Sequence, residues 1–391
     1  MPDHSDMRRL DAAALADLVS WRRELHRHPE VSGHEAATAA RVAARIEAAR
    51  PDALLTGLGG HGVAAVFEGT APGPVLMLRC ELDALPIEET GAPEWRSTVP
   101  GMGHLCGHDG HMAILAGMAE ILGRHRPGRG RVVLLFQPSE EDGQGAAAVI
   151  ADPQFARIAP DWAFALHNMP GLPEGHVALR PGPVACASRG MRIALAGRTA
   201  HASQPETGVS PMAALSGLMP ALTGLGAGGI DDPDFALVTV THARMGAPAF
   251  GIAPGEAEIF VTLRSLTDAR MAGLVRETET LARQAAERHG LGLEITHHDV
   301  FAHCENAPEA VARLAAALEA EAIPHGPQGQ PMRASEDFGR FGIGATSALM
   351  LLGAGLDRPA LHNPDYDFPD ALIETGLRCF VRLTGDLLGY G

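Results

Sequence analysis

Four short apolar runs, at residues 63–67, 75–78, 132–136 and 162–166, are bounded by Gly and Pro and alternate with segments of helical character. Runs of this length fit buried strands, and strands that alternate with helices imply an α/β sheet. Upstream, Leu10, Ala14, Leu18, Trp21 and Leu25 recur at three- and four-residue spacing. This predicts an amphipathic helix over 11–28 that Pro29 stops, followed by a second over 34–49. A further helical stretch spans Gly110 to Leu122. With 391 residues, 46% apolar and 20% charged, the chain can bury a large core. The length favours two domains, and one large α/β unit with an insertion fits the same count.

Around residue 181 the texture changes. Pro181-Gly182-Pro183 reads as a linker. Beyond it come an alternating stretch from Met191 to Ala196, a helix over 209–222, strands near 236–242 and 257–264, a helix over 268–289 and a last strand at 291–296. Strand, helix, strand, strand, helix, strand is the order of a ferredoxin-like module. Helices near 307–321 and 370–388 and an apolar run at 347–352 return to the α/β pattern. The chain therefore divides into a discontinuous first domain, 1–182 with 297–391, and an inserted α+β domain, 183–296.

A net charge of -16, from 31 Lys+Arg against 47 Asp+Glu, argues against a nucleic-acid face and fits a protein that binds small ligands. The N-terminal sequence has no signal-peptide core and no stretch approaches a membrane span, so a cytoplasmic location and no membrane partner are expected. Five scattered cysteines make a poor disulfide framework. Nineteen histidines, against three Trp and two Tyr, direct attention to metal chemistry.

Polar clusters follow the apolar runs: Glu81 and Asp83 after the second, Glu140 and Glu141 after the third, His167 and Asn168 directly after the fourth. The carboxyl ends of strands form the ligand-binding edge of open α/β sheets, so these segments can converge on one crevice. The densest cluster holds His104, Cys106, His108, Asp109 and His111 among glycines. Cys106 and His108 flank one glycine, and both side chains can face a common centre. Phosphate-binding glycine motifs are absent here. His111 reads as a helix-face histidine behind the ligands. Adjacent residues such as Glu140 and Glu141 face different ways, so one can bind a metal while the other faces substrate. Metal-assisted hydrolysis needs that division, because a carboxylate held by an ion is a poor base. His167 and His362 each stand beside a loop, and with Cys106, His108 and Glu141 they make five ligands. Five is too many for one open tetrahedral zinc and suits two divalent ions that share a thiolate.

Cys106-Gly-His-Asp109, the Glu140–Glu141 pair, His167, Thr199-Ala-His-Ala-Ser203, Ser335-Glu-Asp-Phe338 and Leu361-His-Asn-Pro364 occur in this order. With them the chain resembles the aminoacylase, hippurate hydrolase and IAA-amino acid hydrolase branch of the zinc-carboxypeptidase-like metallopeptidases. The match runs from Leu25-His-Arg-His-Pro-Glu30 to Tyr366-Asp-Phe368. The resemblance implies a mixed-sheet catalytic α/β domain with an inserted dimerisation domain, and a homodimer that could assemble further. It also implies a two-metal amidohydrolase acting on N-acyl amino acids. Cys106 would bridge the metals, with His108 and His167 on one ion and Glu141 and His362 on the other. Glu140 would be the general base and Asp83 a carboxylate that orients a ligand. His201 would reach the neighbouring subunit's site and stabilise the oxyanion.

Three positions depart from the family pattern. Gly251 stands where Asn is usual, Arg189 where Asp is common and Glu206 where His is common. Arg189, Gly251 and Asn363 are the candidate substrate contacts, with Arg189 a positive partner for an acidic substrate group. A dipeptidase or carboxypeptidase, a metal-binding relative without catalysis and a cysteine-nucleophile hydrolase are the competing readings. The ligand set suits zinc or manganese first and also admits cobalt or nickel.

Overall fold

The computed structural model describes residues 10–391. Contacts divide them into two compact units. One holds the chain up to Val184 with Cys304–Gln330 and Asp337–Gly391, and the other holds Ala185–His303 with Pro331–Glu336. The first unit begins with α1 (Ala12–Arg27), α2 (Ala36–Glu47), β1 (Ala53–Leu58), β2 (Gly62–Glu68), β3 (Val75–Glu81), α3 (His108–Arg124), β4 (Arg131–Gln137), α4 (Gly145–Ala151), β5 (Trp162–Pro170), β6 (Val177–Ala178) and β7 (Gly182–Ala185). Then come β8 (Ala187–Ala196), β9 (Ala200–His201), α5 (Met212–Thr223), β10 (Ala236–Met245), β11 (Ile252–Ala253), β12 (Glu256–Ser265), α6 (Asp268–His289) and β13 (Gly292–Phe301). The chain closes with β14 (Cys304–Asn306), α7 (Pro308–Ala320), β15 (His325–Gly326), β16 (Thr346–Gly355) and α8 (Leu372–Leu388).

The large sheet has the order β1-β2-β4-β3-β5-β16-β6-β15. Its centre, β4-β3-β5-β16, is parallel and the β1-β2-β4 side is antiparallel, so the expected mixed α/β sheet is present. Strands β3, β4 and β5 are buried along nearly their whole length, as parallel strands covered on both faces must be. Helix α3 is buried nearly all round because α1, α2 and α8 pack around it above β3. The Asp11 carboxylate starts α1 by accepting the Ala14 N–H at 2.8 Å, and the helix ends two residues before Pro29. The parallel strands all point the same way, which collects the residues after β3 and β4 and late in β5 at one sheet edge.

In the second unit the order β10-β12-β8-β13, with α5 and α6 packed on one face, is ferredoxin-like. Its core comes from alternate positions: Met191, Ile193, Ile259, Val261 and Leu263 from the strands, and Leu218, Leu222, Leu274 and Ala282 from the helices. No helix among the described residues is long and apolar enough to cross a membrane.

Several local expectations are corrected. His167 and Asn168 do not follow a strand; they lie within β5, where Leu351 and Leu352 of β16 pair with them. The ladder, not residue polarity, sets that boundary. Gly182 and Pro183 belong to a short strand paired with β14 rather than to a plain linker. The last strand of the second unit runs to Phe301 instead of stopping at Thr296, and Ala53–Leu58 forms a further strand, β1, at the sheet edge with only Leu55 and Leu58 buried.

Asn306 completes the sheet beside β16. Its amide accepts the Leu349 N–H at 2.7 Å and donates to the Leu349 carbonyl at 2.9 Å, standing in for a missing strand. Asn306→Ala leaves those buried backbone groups unpaired and should cost ~3 kcal/mol, read from the urea midpoint at unchanged m-value.

Candidate metal centre

Five segments of the first unit bring chemistry-bearing side chains together. A loop ends at Cys106, Gly107 turns the chain with φ at +89°, and His108 opens α3. Asp83 follows β3, the Glu140–Glu141 pair follows β4, and His167 lies within β5. His362 sits in the loop before α8 with φ at +67°, a strained conformation for a residue with a side chain. Its N–H is held by the Leu105 carbonyl at 2.9 Å, so the His362 loop is tied to the Cys106 loop.

Among the described residues, five groups could each hold an ion: Cys106, His108 and His167; Cys106, Glu141 and His362; His108, Glu140 and Glu141; Glu81, His108 and His111; and Glu140, Glu336 and Asp337. Cys106 Sγ lies 3.5 Å from His167 Nε2, and His362 Nε2 lies 3.4 Å from Glu141 Oε2. His108 Nε2 lies 3.9 Å from both Glu140 Oε2 and Glu141 Oε1. Cys106, His108, Glu140 and His167 are buried, whereas the His362 side chain is 49% exposed, so the cluster opens on that side.

The hydrogen bonds aim the donors. His108 Nδ1 donates to the Asp83 carbonyl at 2.9 Å, which leaves its buried Nε2 without a partner and facing the carboxylates. His167 Nδ1 donates to the Asn168 carbonyl at 2.8 Å and so turns Nε2 towards Cys106. Each histidine thus presents one lone pair, the arrangement typical of metal ligands. Glu141 Oε1 is likewise buried without a hydrogen bond.

The electrostatics also call for a cation. Burial alone would lower the His108 pKa, but Asp83, Glu81 and Glu141 outweigh it and raise it to about 10. Burial lifts the Cys106 thiol well above its ordinary value, and Glu141 and Glu140 lift it further. A thiol, imidazoles and carboxylates with lone pairs converging on one space fit one or two divalent ions.

Other residues frame the cluster. Asp83 accepts the Ser32 hydroxyl at 2.7 Å and the Glu141 N–H at 2.9 Å, in keeping with an orienting carboxylate. His111 donates to Glu81 at 2.6 Å and accepts the Asn168 N–H at 3.1 Å. With both nitrogens engaged, it stands behind the ligands. His104 is buried with neither ring nitrogen bonded and belongs to none of these groups. Asn168 donates to the Cys106 carbonyl at 2.7 Å and accepts the Tyr366 hydroxyl, binding the β5 ligand to two loops. Asn363, beside His362, is exposed. Sequence reading missed the roles of Asn168 and Tyr366, since each acts through contacts distant in sequence.

His201, Arg189, Glu206 and Gly251 belong to the second unit. His201 is exposed, and its Nδ1 accepts the Ser203 N–H at 3.2 Å with Ser203 Oγ at 2.7 Å, which leaves Nε2–H as a donor. Gly251 accepts the Ala202 N–H at 3.1 Å through its carbonyl, beside the His201–Ile252 pair. Arg189 lies opposite Leu263 with its Nε buried and unpartnered, and Glu206 sits in an exposed turn.

A mixed-sheet α/β unit with a thiol–imidazole–carboxylate cluster at one sheet edge defines a class of metal-dependent hydrolase fold. The chain belongs to the peptidase family M20/M25/M40, whose model matches residues 77–386. It is 31% identical over 280 residues to the N-acetylcysteine deacetylase of Bacillus subtilis, covering 71% of this chain and 70% of that one. The hippurate hydrolase of Campylobacter jejuni is 29% identical over 368 residues, 93% of this chain and 94% of its own. The crystal structure of a dinuclear metal-binding M20 peptidase from Bacillus subtilis shares the fold, with TM-score 0.81 at 24% identity over 97% of this chain and 99% of that one.

Gly107 tests the ligand loop. A Cβ there would lie 2.1 Å from Asn168 Oδ1, and the backbone is left-handed. Gly107→Ala should weaken metal binding by about 10- to 100-fold in competition with a chelating dye, with far-UV circular dichroism unchanged.

Proposed function

We propose that the chain is a dinuclear metal-dependent amidohydrolase that cleaves N-acyl amino acids to a carboxylate and a free amino acid. The observation that carries this is the adjacent Glu140–Glu141 pair beside His108, of which Glu141 also reaches His362. The names of the deacetylase and hippurate hydrolase relatives support the acyl-amide class. Cys106 would bridge, His108 and His167 would hold one ion, and Glu141 and His362 the other. Bound there, divalent ions supply Lewis acidity and lower the pKa of water. Zinc or manganese suits the set best, with cobalt or nickel admitted.

Glu140 takes a proton from the attacking water as the carbon–oxygen bond forms, then returns it to the amine nitrogen as the carbon–nitrogen bond breaks. Asp83 holds His108 through its backbone carbonyl and fixes Glu141 through its carboxylate. His201 donates Nε2–H to the developing oxyanion, reaching a neighbouring subunit's site in a homodimer built through the second unit. Arg189, Gly251 and Asn363 contact the substrate, and the protein works in the cytoplasm.

Glu140→Gln should keep its metal, measured by inductively coupled plasma mass spectrometry, and lose more than about nine-tenths of turnover. Higher residual activity would exclude the base role. Amine release from N-acetyl, N-benzoyl and longer N-acyl amino acids, with dipeptides alongside, should be fastest for one acyl class in enzyme reconstituted with zinc, manganese or cobalt. Faster dipeptide turnover would favour the peptidase reading, and silence with metal bound would favour a binding protein.

A further inference from the structure

The turn that presents the acidic pair is strained. Ser139 has φ at +52°, a left-handed conformation that an L residue with a side chain adopts only when its surroundings enforce it. The enforcing group comes from a segment 104 residues away. Glu35 Oε1 accepts the Ser139 N–H at 2.8 Å and the Ser139 hydroxyl at 3.3 Å, and also the Gly33 N–H at 3.0 Å. Glu35 is fully buried, and its other oxygen has no hydrogen bond. It occupies the N-cap position of α2 yet makes no capping bond. Glu30 takes over part of that task, accepting the Thr38 N–H at 2.7 Å and the Thr38 hydroxyl at 2.9 Å. Local helix chemistry therefore does not account for a buried carboxylate at position 35.

The same segment also holds the far side of the pair. Ser32 donates to the Asp83 carboxylate, and that carboxylate accepts the Glu141 N–H. Glu140 thus lies between two clamped neighbours, Ser139 on Glu35 and Glu141 on Asp83. The turn is closed behind it by Gly145 N–H to the Ser139 carbonyl at 2.9 Å and Gly143 N–H to the Glu140 carbonyl at 2.8 Å. Adjacent carboxylates can serve different tasks only if the backbone between them is fixed, because rotation of this turn would exchange the faces they address.

We propose that Glu35 is a positioning residue that holds the Ser139 turn in its left-handed conformation and thereby aims Glu140 and Glu141 at their separate tasks. The assignment rests on the reading of Glu140 as base and Glu141 as ligand. The test compares Glu35→Ala, Glu35→Gln, Glu35→Ala/Ser139→Gly and Glu140→Gln in the metal-reconstituted protein, with an N-acyl amino acid as substrate. Glu35→Ala should lower kcat about 100-fold with KM little changed, since small misplacement of a reacting group costs that much. Glu35→Gln keeps an acceptor oxygen and should stay within about tenfold of wild type. The double variant should recover about tenfold over Glu35→Ala, because glycine adopts positive φ without enforcement. In metal-free protein, hydrogen exchange over residues 139–145 should quicken in Glu35→Ala while β4 stays protected.

Wild-type kcat in Glu35→Ala, unchanged exchange in that segment, or a folded double variant no faster than the single one would each overturn the proposal. If Glu35→Ala fails to fold, Ser139→Val in the otherwise intact chain takes its place. A β-branched residue at that φ should lower kcat, and wild-type turnover would overturn the role. Turnover retained in Glu140→Gln alongside loss and rescue at position 35 would refute the base and leave the clamp standing. A dead Glu140→Gln with a fully active Glu35→Ala would refute only the clamp.

Discussion

Burial of several negative groups at one sheet edge is the constraint on which the rest of the first unit depends. Glu81, Asp83, Asp109, Glu140 and Asp337 are all buried. Charges removed from water in this way must be paired, or they change protonation state. The carboxylates behind the ligand loops are paired by guanidinium groups. Arg22 Nε lies 3.2 Å from Asp109, and Arg79 bonds Glu81 and reaches Asp337 at 2.7 Å. In front, Glu141 faces His108, His362 and Cys106, and Glu140 faces His108. The same kind of charge is thus neutralised by fixed arginines on one side and lies among candidate metal ligands on the other.

The arginines also explain why elements distant in sequence converge. Arg22 comes from α1 and meets Asp109 on α3 and Asp367 and Asp370 before α8, with the Phe368 carbonyl at 2.7 Å. His26, one turn later on α1, donates to Asp109 at 2.9 Å, and its pKa is raised to about 9 because Asp109 and Glu89 outweigh the effect of burial. Asp109 directly follows His108, so the N-terminal helix anchors the residue beside a candidate ligand. From the sheet, Arg79 does the same for Glu81, which orients His111 and through it the Asn168 backbone.

Much of this was legible in the sequence, and what was legible had a local cause. The alternating apolar runs predict the central strands, and the order of elements after residue 187 predicts the ferredoxin-like unit. Cys106, His108, Glu141, His167 and His362 lie in two overlapping groups that could hold an ion, although of these only Glu141 stands just after a strand. Features with a non-local cause were not legible. Strand β5 extends through His167 because β16 pairs with it, although polar residues there resemble a loop. Glu35 looks like a surface acid at a helix start, and only the fold brings it to Ser139. Asn168 and Tyr366 stand in segments that the sequence singles out, yet nothing local shows that they join loops near Cys106 and His362.

Around the candidate ligands, backbone strain follows what each position must present. At Gly107 the side chain would strike Asn168, and glycine supplies the left-handed turn without steric cost. Ser139 and His362 adopt positive φ although they are not glycine. In each case the side chain has a task that glycine cannot perform: the Ser139 hydroxyl reaches Glu35, and the His362 imidazole reaches Glu141. Both strained backbones are also held by bonds from outside the turn, Ser139 N–H by Glu35 and His362 N–H by the Leu105 carbonyl. Strain without such anchors would relax and take the side chain with it. A few long-range hydrogen bonds, added to the strand ladders, therefore fix the segments that carry these side chains.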